Sequence, residues 1–191
     1  MELKKSFDTR FSPEDTWAGL SDIHLVASCL PGASITEEIK ADEYKGLLSV
    51  KVGPLAANFA GLISIARDEA AKVATVTGKG ADAKSSSRVS ATMRYTVAAG
   101  TDGGANVEIV SDISLAGALA QFGKAAVMQE IANRMTNEFV RQFEARMAQR
   151  LGEEGAGEVE AAAPQSLDAG KLLWGVAKDR VSGMFRKKDE Q

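Results

Sequence analysis

Cysteine and histidine are almost missing from this chain: Cys29 and His24 are the only ones in 191 residues. A lone cysteine excludes an intrachain disulfide and fits a reducing compartment. With one histidine and no neighbour at ligand spacing, no metal site and no Ser-His-Asp or Cys-His arrangement can be assembled, so no metal ligand and no catalytic residue is assigned. Cys29 reads as a small buried apolar residue, and His24 as a surface or helix-packing one. No apolar run approaches the roughly 18 residues of a membrane-spanning helix. The opening MELKKSFDTRFSPEDTW lacks the apolar region of a signal peptide, so a cytoplasmic protein is expected. The phosphate-loop pattern is absent, and Gly78-Lys79-Gly80 reads as a sheet bend or a close approach. Basic residues are scattered among acids with no basic-aromatic platform, which argues against a nucleic-acid partner.

What remains is ordinary globular material, 45% hydrophobic and 26% charged, with one feature set apart. The stretch KLLWGVAKDRVSGMFRKK (Lys171–Lys188) reads as a basic amphipathic helix. Leu172, Leu173, Val176, Val181, Met184 and Phe185 recur at steps of three and four and share one face. Trp174 sits at the flank, where an amphipathic ring suits a membrane interface. Lys178, Arg186, Lys187 and Lys188 add positive charge. From Lys171 onward there are six basic and three acidic residues, a net +3, so the rest carries −6 of the total −3. An acidic body with a basic tail favours a tail that meets an anionic surface. Partial burial of six such side chains and attraction to anionic lipid, set against ordering entropy, predict a weak to moderate reversible attachment. Docking on a protein partner, on the chain's own domain or on a homodimer mate are the alternatives.

The pattern ahead of the tail sorts into three segments. Residues 1–151 form a domain, 152–170 a disordered, acidic, Gly/Ala-rich linker, and 171–188 the helix. Leu3–Phe11 suits an opening strand, followed by a helix capped by Ser12 with Pro13 in its first turn. Ser21 or Asp22 starts a second short helix, which Pro31-Gly32 must end. From Ser34 to Leu115 the period becomes two, with turn signals that mark six consecutive strands. One long helix follows, from about Leu119 to Leu151, with an apolar stripe of Met128, Ile131, Ala132, Met135, Phe139 and Phe143. Glu138, Arg141, Glu144 and Arg146 are expected to face outward. The fold class is α+β helix-grip: a curved antiparallel sheet of about seven strands around a long C-terminal helix, with two short helices after the first strand. Such a grip commonly encloses an apolar cavity.

Particular residues sharpen this. Phe11-Ser12-Pro13 with Trp17 and Leu20, CLPGA at Cys29–Ala33, YKGLLSVKVGP at Tyr44–Pro54, Phe59-Ala60-Gly61, and the run Gly78–Val97 stand in this order before the helix carrying Phe139 and Phe143. Over roughly residues 2–150 this resembles the CoxG family, the G subunits of carbon monoxide dehydrogenase, within the START/SRPBCC helix-grip superfamily of lipid-transfer and polyketide-cyclase domains. The resemblance implies a non-catalytic accessory protein of a molybdenum-containing, carbon monoxide dehydrogenase-like hydroxylase. It would bring the enzyme to the cytoplasmic face of the inner membrane as a peripheral protein, and would handle a lipid quinone without covalent or metal ligation.

The cavity candidates are Trp17, Leu30, Phe59, Ile63, Met93, Tyr95, Phe122, Met128, Ile131, Met135 and Phe139. Their plainer reading is core. Pro31, Gly32, Gly53 and Pro54 are turns first, and partner-docking or cavity-entrance candidates second. Two rival functions share the fold. A cyclase or dehydratase would need ionisable groups converging on the cavity, for which Asp112, Arg94 and His24 are the recruits. A stand-alone carrier of hydrophobic ligands would need no enzyme partner.

Overall fold

The computed structural model describes residues 1–52, 55–122, 125–152 and 167–168. The elements run β1 (Glu2–Thr9), α1 (Pro13–Ser21), α2 (Ile23–Cys29), β2 (Ala33–Lys40), β3 (Glu43–Val52), β4 (Leu55–Asp68), β5 (Val73–Asp82), β6 (Ser87–Ala99) and β7 (Ala105–Ala116), followed by a 3-10 turn (Gly117–Phe122), α3 (Ala125–Arg150) and β8 (Leu167–Asp168). The expected α+β helix-grip order is what forms.

The two short helices start where side chains can satisfy their first N–H groups. Ser12 Oγ accepts from Asp15 N at 3.1 Å with Pro13 in the first turn. Asp22 Oδ1 accepts from both His24 N and Leu25 N at 3.1 Å. The seven main strands pair antiparallel in the order β1-β7-β6-β5-β4-β3-β2, so the sheet is open, with β1 and β2 at its edges. Tight turns account for the meander: Asp42, Lys72, Ser86 and Asp102 all take positive φ at strand ends.

Two details differ from the sequence reading. The helical region opens with a 3-10 turn, and α3 proper has 26 residues from Ala125, about 39 Å long rather than the 45–50 Å expected. Gly117, with φ +79, turns the chain out of β7 and into the 3-10 turn. The expected outward row on α3 is also mixed. Arg141 is exposed and pairs with Glu138, but Arg146 is half-buried and its guanidinium touches the Cys29 thiol. Gln142, not foreseen, is 7% exposed.

Two separate cores hold the molecule. At the end carrying α1 and α2, which we call lower, Phe7, Phe11, Trp17, Tyr95, Val107, Phe139 and Phe143 pack together with Cys29 and Met147. Phe139 stacks on Phe143 at 5.5 Å and meets Phe7 edge-on at 6.0 Å. At the upper end, Ala57, Phe59 and Leu119 form a small second cluster, flanked by Leu48, Val50 and Val89. Leu119 N donates to Ser87 Oγ at 3.2 Å, tying the 3-10 turn to β6.

Leu167–Asp168, inside the segment expected to be disordered, pair parallel with Val50 and Lys51 of β3. This strand occupies the side of β3 that β2 leaves open, because β2 begins only at Ala33 opposite Leu48. The remainder of the linker and all of 169–191 lie outside the described residues.

Candidate functional site

Register decides which side chains face the inside. Tyr44, Ile63, Gly78, Ala91 and Ile113 align across β3, β4, β5, β6 and β7. One row lower, Ile65, Val76, Met93, Ser111 and Leu3 align from β4 across to β1. These rows lie on the same sheet face as Phe59, Tyr95 and Val97, because side chains alternate along a strand.

The two rows sit between the cores and are not fully covered. Along β6, Tyr95 and Val97 are 8% and 4% exposed, whereas Met93, on the same face, is 38% exposed. Ile63, Ile65, Gly78, Ala91 and Ile113 are only half-buried. The helix shows the same gap. Phe139, Phe143 and Met147 are buried, while Ile131 and Met135, one and two turns earlier on the same stripe, are half-buried. Its main neighbours are β1 and α2, at one margin of the sheet, while α1 lies over the lower ends of β6 and β7.

Glycine widens the gap. Gly46, Gly61 and Gly80 pair in register across β3, β4 and β5, and Gly78 lies one row below. A Cβ built on Gly61 would collide with the Lys79 carbonyl, and one on Gly80 would press on Phe59, so these two permit close backbone approach. Gly78 is different: no heavy atom lies within 4 Å of its would-be Cβ. Its neighbourhood is open space, bounded by Ile63 and Ala91.

Polar groups mark the lower margin. Arg67 faces the same side as Ile65, two residues on. Its Nη1 pairs with Asp42 and its Nη2 donates to the Ser21 carbonyl at 3.1 Å. Its Nε and the Ser21 hydroxyl are buried without a partner. Tyr95 Oη donates to the Leu20 carbonyl at 3.2 Å, and burial pushes its pKa up to about 12. Trp17 Nε1 donates to Glu69 Oε2 at 2.5 Å, its ring 5.9 Å from that of Tyr95.

The residues singled out by sequence fall in different places. Ile63 and Met93 border the uncovered band, and Ile131 and Met135 are half-buried on α3. Trp17, Tyr95 and Phe139 lie in the lower core with Leu30 packed against it, Phe59 belongs to the upper core, and Met128 is buried on α3. Phe122 ends the 3-10 turn, and its side chain is outside the described set. Pro31 is buried and Gly32 takes φ +77, its carbonyl accepting from Ser49 N at 2.9 Å near the upper end of β3. Gly53, Pro54 and the whole C-terminal set from Leu172 to Lys188 lie outside the described residues. Missing from the sequence reading were Gly78, Ala91, Ile65 and Ile113. Strand alternation did signal their common face, but only cross-strand register brings them side by side.

The arrangement has little to offer acid-base chemistry. Arg94 and Asp112 point to the opposite sheet face, and His24 is exposed on α2, so the three recruits of a cyclase do not converge. Burial pushes the Cys29 thiol up to about 11, away from a reactive thiolate. Among the described residues no group of three or more metal-ligating side chains gathers, and no helix is long and apolar enough to cross a membrane. A shallow depression of about 510 Å³ lies on the outward face, bordered by Leu62, Lys79, Arg88 and Ser90.

Comparison with known proteins agrees with the architecture. The family model for CoxG, the G subunit of carbon monoxide dehydrogenase, matches residues 6–148. No curated protein matches the sequence. Among solved structures, a conserved protein from Geobacillus kaustophilus is similar at TM-score 0.69 and 17% identity, covering 78% of this chain and 96% of its own. The Zhui aromatase/cyclase from Streptomyces sp. R1128 aligns at TM-score 0.55 and 14% identity, covering 83% and 99%. A START superfamily protein from Mycobacterium smegmatis aligns at 0.55 and 9%, covering 78% and 98%. At these identities the likeness shows a shared START-type fold.

Proposed function

The chain belongs to the CoxG family of carbon monoxide dehydrogenase, and from that premise we propose that it is a non-catalytic, ligand-carrying accessory protein of a molybdenum-containing, carbon monoxide dehydrogenase-like hydroxylase. Its cargo is an apolar, lipid-class molecule, with a quinone the best fit. The C-terminal segment brings the assembly to an anionic membrane surface.

The observation that carries this reading is the uncovered apolar band between the two cores. Its walls are Ile63, Ile65, Ala91, Met93 and Ile113 from the sheet. A site of this kind binds by removing apolar surface from water, and a few polar groups set orientation. Arg67 stands two residues below Ile65 on the same face, and its positive charge at the lower margin would orient a quinone carbonyl while the isoprenoid chain runs along the band. A flexible thioether such as Met93 lets the wall adapt to ligands of different length. Electron transfer, on this reading, stays in the partner enzyme; the chain contributes binding, shielding from water and delivery.

The test uses the full chain purified under native conditions. Solvent extraction and mass spectrometry should release an isoprenoid quinone or related lipid, and an emptied preparation should take up a short-chain quinone. Retention of no apolar molecule and no uptake of added quinone would remove the carrier reading. Recruitment is read separately: the hydroxylase should sediment with phosphatidylglycerol vesicles only when the chain is present.

A further inference from the structure

We propose that the Ser111 hydroxyl is the hydrogen-bonding contact for the oxygen-bearing head of the carried lipid, and that it lets the site hold that head in both its quinone and its quinol form. This contact rests on the carrier reading of the band and supplies the atom that meets the ring.

Three observations single out this side chain. The first is position. Ser111 lies in β7 on the inner face, in the row that runs from Ile65 through Val76 and Met93 to Leu3. Exposure falls along that row, from 38% at Met93 to 7% at Ser111 and 6% at Leu3. Ser111 therefore stands where the band closes, beside the most exposed side chain of its wall. On its far side is β1, the strand on which α3 packs.

The second is the surroundings. Along β7 the same-face neighbours of Ser111 are Ile109 and Ile113, and across the sheet they are Leu3 and Met93. Apolar side chains thus frame the hydroxyl on all four sides of the sheet lattice.

The third is that the hydroxyl is unpaired. Among the described residues nothing donates to it or accepts from it. The hydroxyls of Ser21 and Ser85 also lack partners, but those two are sealed from solvent and that of Ser111 is not. A nearly buried hydroxyl in an apolar frame costs free energy until something pairs with it. A ligand oxygen at the closed end of the band removes that cost.

A serine hydroxyl both donates and accepts. It can donate to a quinone carbonyl and accept from a quinol O–H. The guanidinium of Arg67, at the lower margin, only donates. It lies three strands from β7, about 14 Å, farther than the two oxygens of one ring reach. A carbonyl can turn to either group, whereas a quinol O–H finds its acceptor at Ser111. The reduced ring therefore depends on Ser111 more than the oxidised ring does.

The test is isothermal titration of the full-length native chain and its Ser111→Ala variant with three probes of equal chain length: a short-chain quinone, its quinol under anaerobic conditions, and the alkylbenzene that lacks both oxygens. Loss of one hydrogen bond should raise the quinol Kd about 2- to 12-fold, raise the quinone Kd by less, and leave the alkylbenzene unchanged. The Tm of the variant should equal or exceed the native value, because no partner within the protein is lost. An unchanged quinol Kd would overturn the proposal. Equal losses for quinol and alkylbenzene would do so too, by placing the effect in packing, and so would a lower Tm, which would show that the hydroxyl is already paired in the empty protein. A native chain that binds none of the three probes removes the carrier reading and this contact with it. A native chain that binds quinol no better than its variant does, while both bind alkylbenzene, removes the Ser111 contact alone.

Discussion

Gly78→Leu is the perturbation that discriminates most sharply between a filled interior and a ligand site. Gly78 lies in β5 between Ile63 and Ala91, faces the inner side, and has no atom within 4 Å of a built Cβ. It is not among the positive-φ residues, so a side chain introduces no backbone strain. Replacing a strand glycine removes an entropic penalty of roughly 0.5–1 kcal/mol. Partial burial of the new side chain adds on the order of 1 kcal/mol. The unliganded protein should therefore hold its stability or gain up to about 2 kcal/mol, a Tm rise of roughly 0–8 °C for a chain of this size. Binding moves the other way. A ligand that occupies the same space must now tolerate overpacking of roughly 1–3 kcal/mol, which is about 5- to 150-fold in Kd. Differential scanning calorimetry gives the first quantity, and isothermal titration with a short-chain quinone the second. A Tm drop of more than about 5 °C would show that the space is not open. Unchanged affinity would show that the open space is not where the ligand sits.

Three further perturbations probe the frame around the site. Phe143 is fully buried between Phe139 and the α1 surface, so Phe143→Ala should cost about 3–5 kcal/mol in urea denaturation; a loss under about 1 kcal/mol would refute its place as the centre of the lower core. A Cβ on Gly19 would stand 2.5 Å from Met147 Sδ and 2.9 Å from Phe143 Cζ, so Gly19→Ala should lower stability by roughly 1–3 kcal/mol despite the better helix propensity of alanine, and a neutral or higher Tm would contradict this packing. Burial raises the Cys29 pKa from 9.0 to about 11. The unfolded chain therefore loses this proton first, and the stabilising contribution of the neutral thiol, complete below about pH 9, should fade as pH rises towards 11; Cys29→Ala should flatten that part of the stability-pH profile, and an unaltered profile would show that other groups dominate it.

Much of the frame was legible because it is written in local chemistry. Ser12-Pro13 and Asp22 announce helix starts, and the structure uses both. Strict alternation through Phe59, Gly61, Ile63 and Ile65 gives the inner face of β4 correctly. What local chemistry does not encode is how far a helix stands from a sheet. Met128, Ile131, Met135, Phe139 and Phe143 form one continuous stripe in sequence, yet two of the five end half-buried, because α3 follows β1 at the sheet margin. The glycines of β3, β4 and β5 are equally opaque one strand at a time; only pairing register turns Gly46, Gly61 and Gly80 into a lane. Arg146 escaped because periodicity assigns a charged residue to water, and the Cys29 sulfur that receives it comes from α2, more than a hundred residues earlier.

The division of the interior into a large lower and a small upper cluster bears on how a bulky molecule gets in at all. Global unfolding is not required. Among the described residues the upper cluster has three buried members, Ala57, Phe59 and Leu119, and Leu119 N ties it to Ser87 Oγ. Small units with few buried contacts open at lower free energy than the rest of a fold. The amides of β4 near Phe59 and of the 3-10 turn should then exchange with solvent well before those opposite Phe7 and Val107, so that entry resembles breathing at one end of a molecule whose other end stays shut.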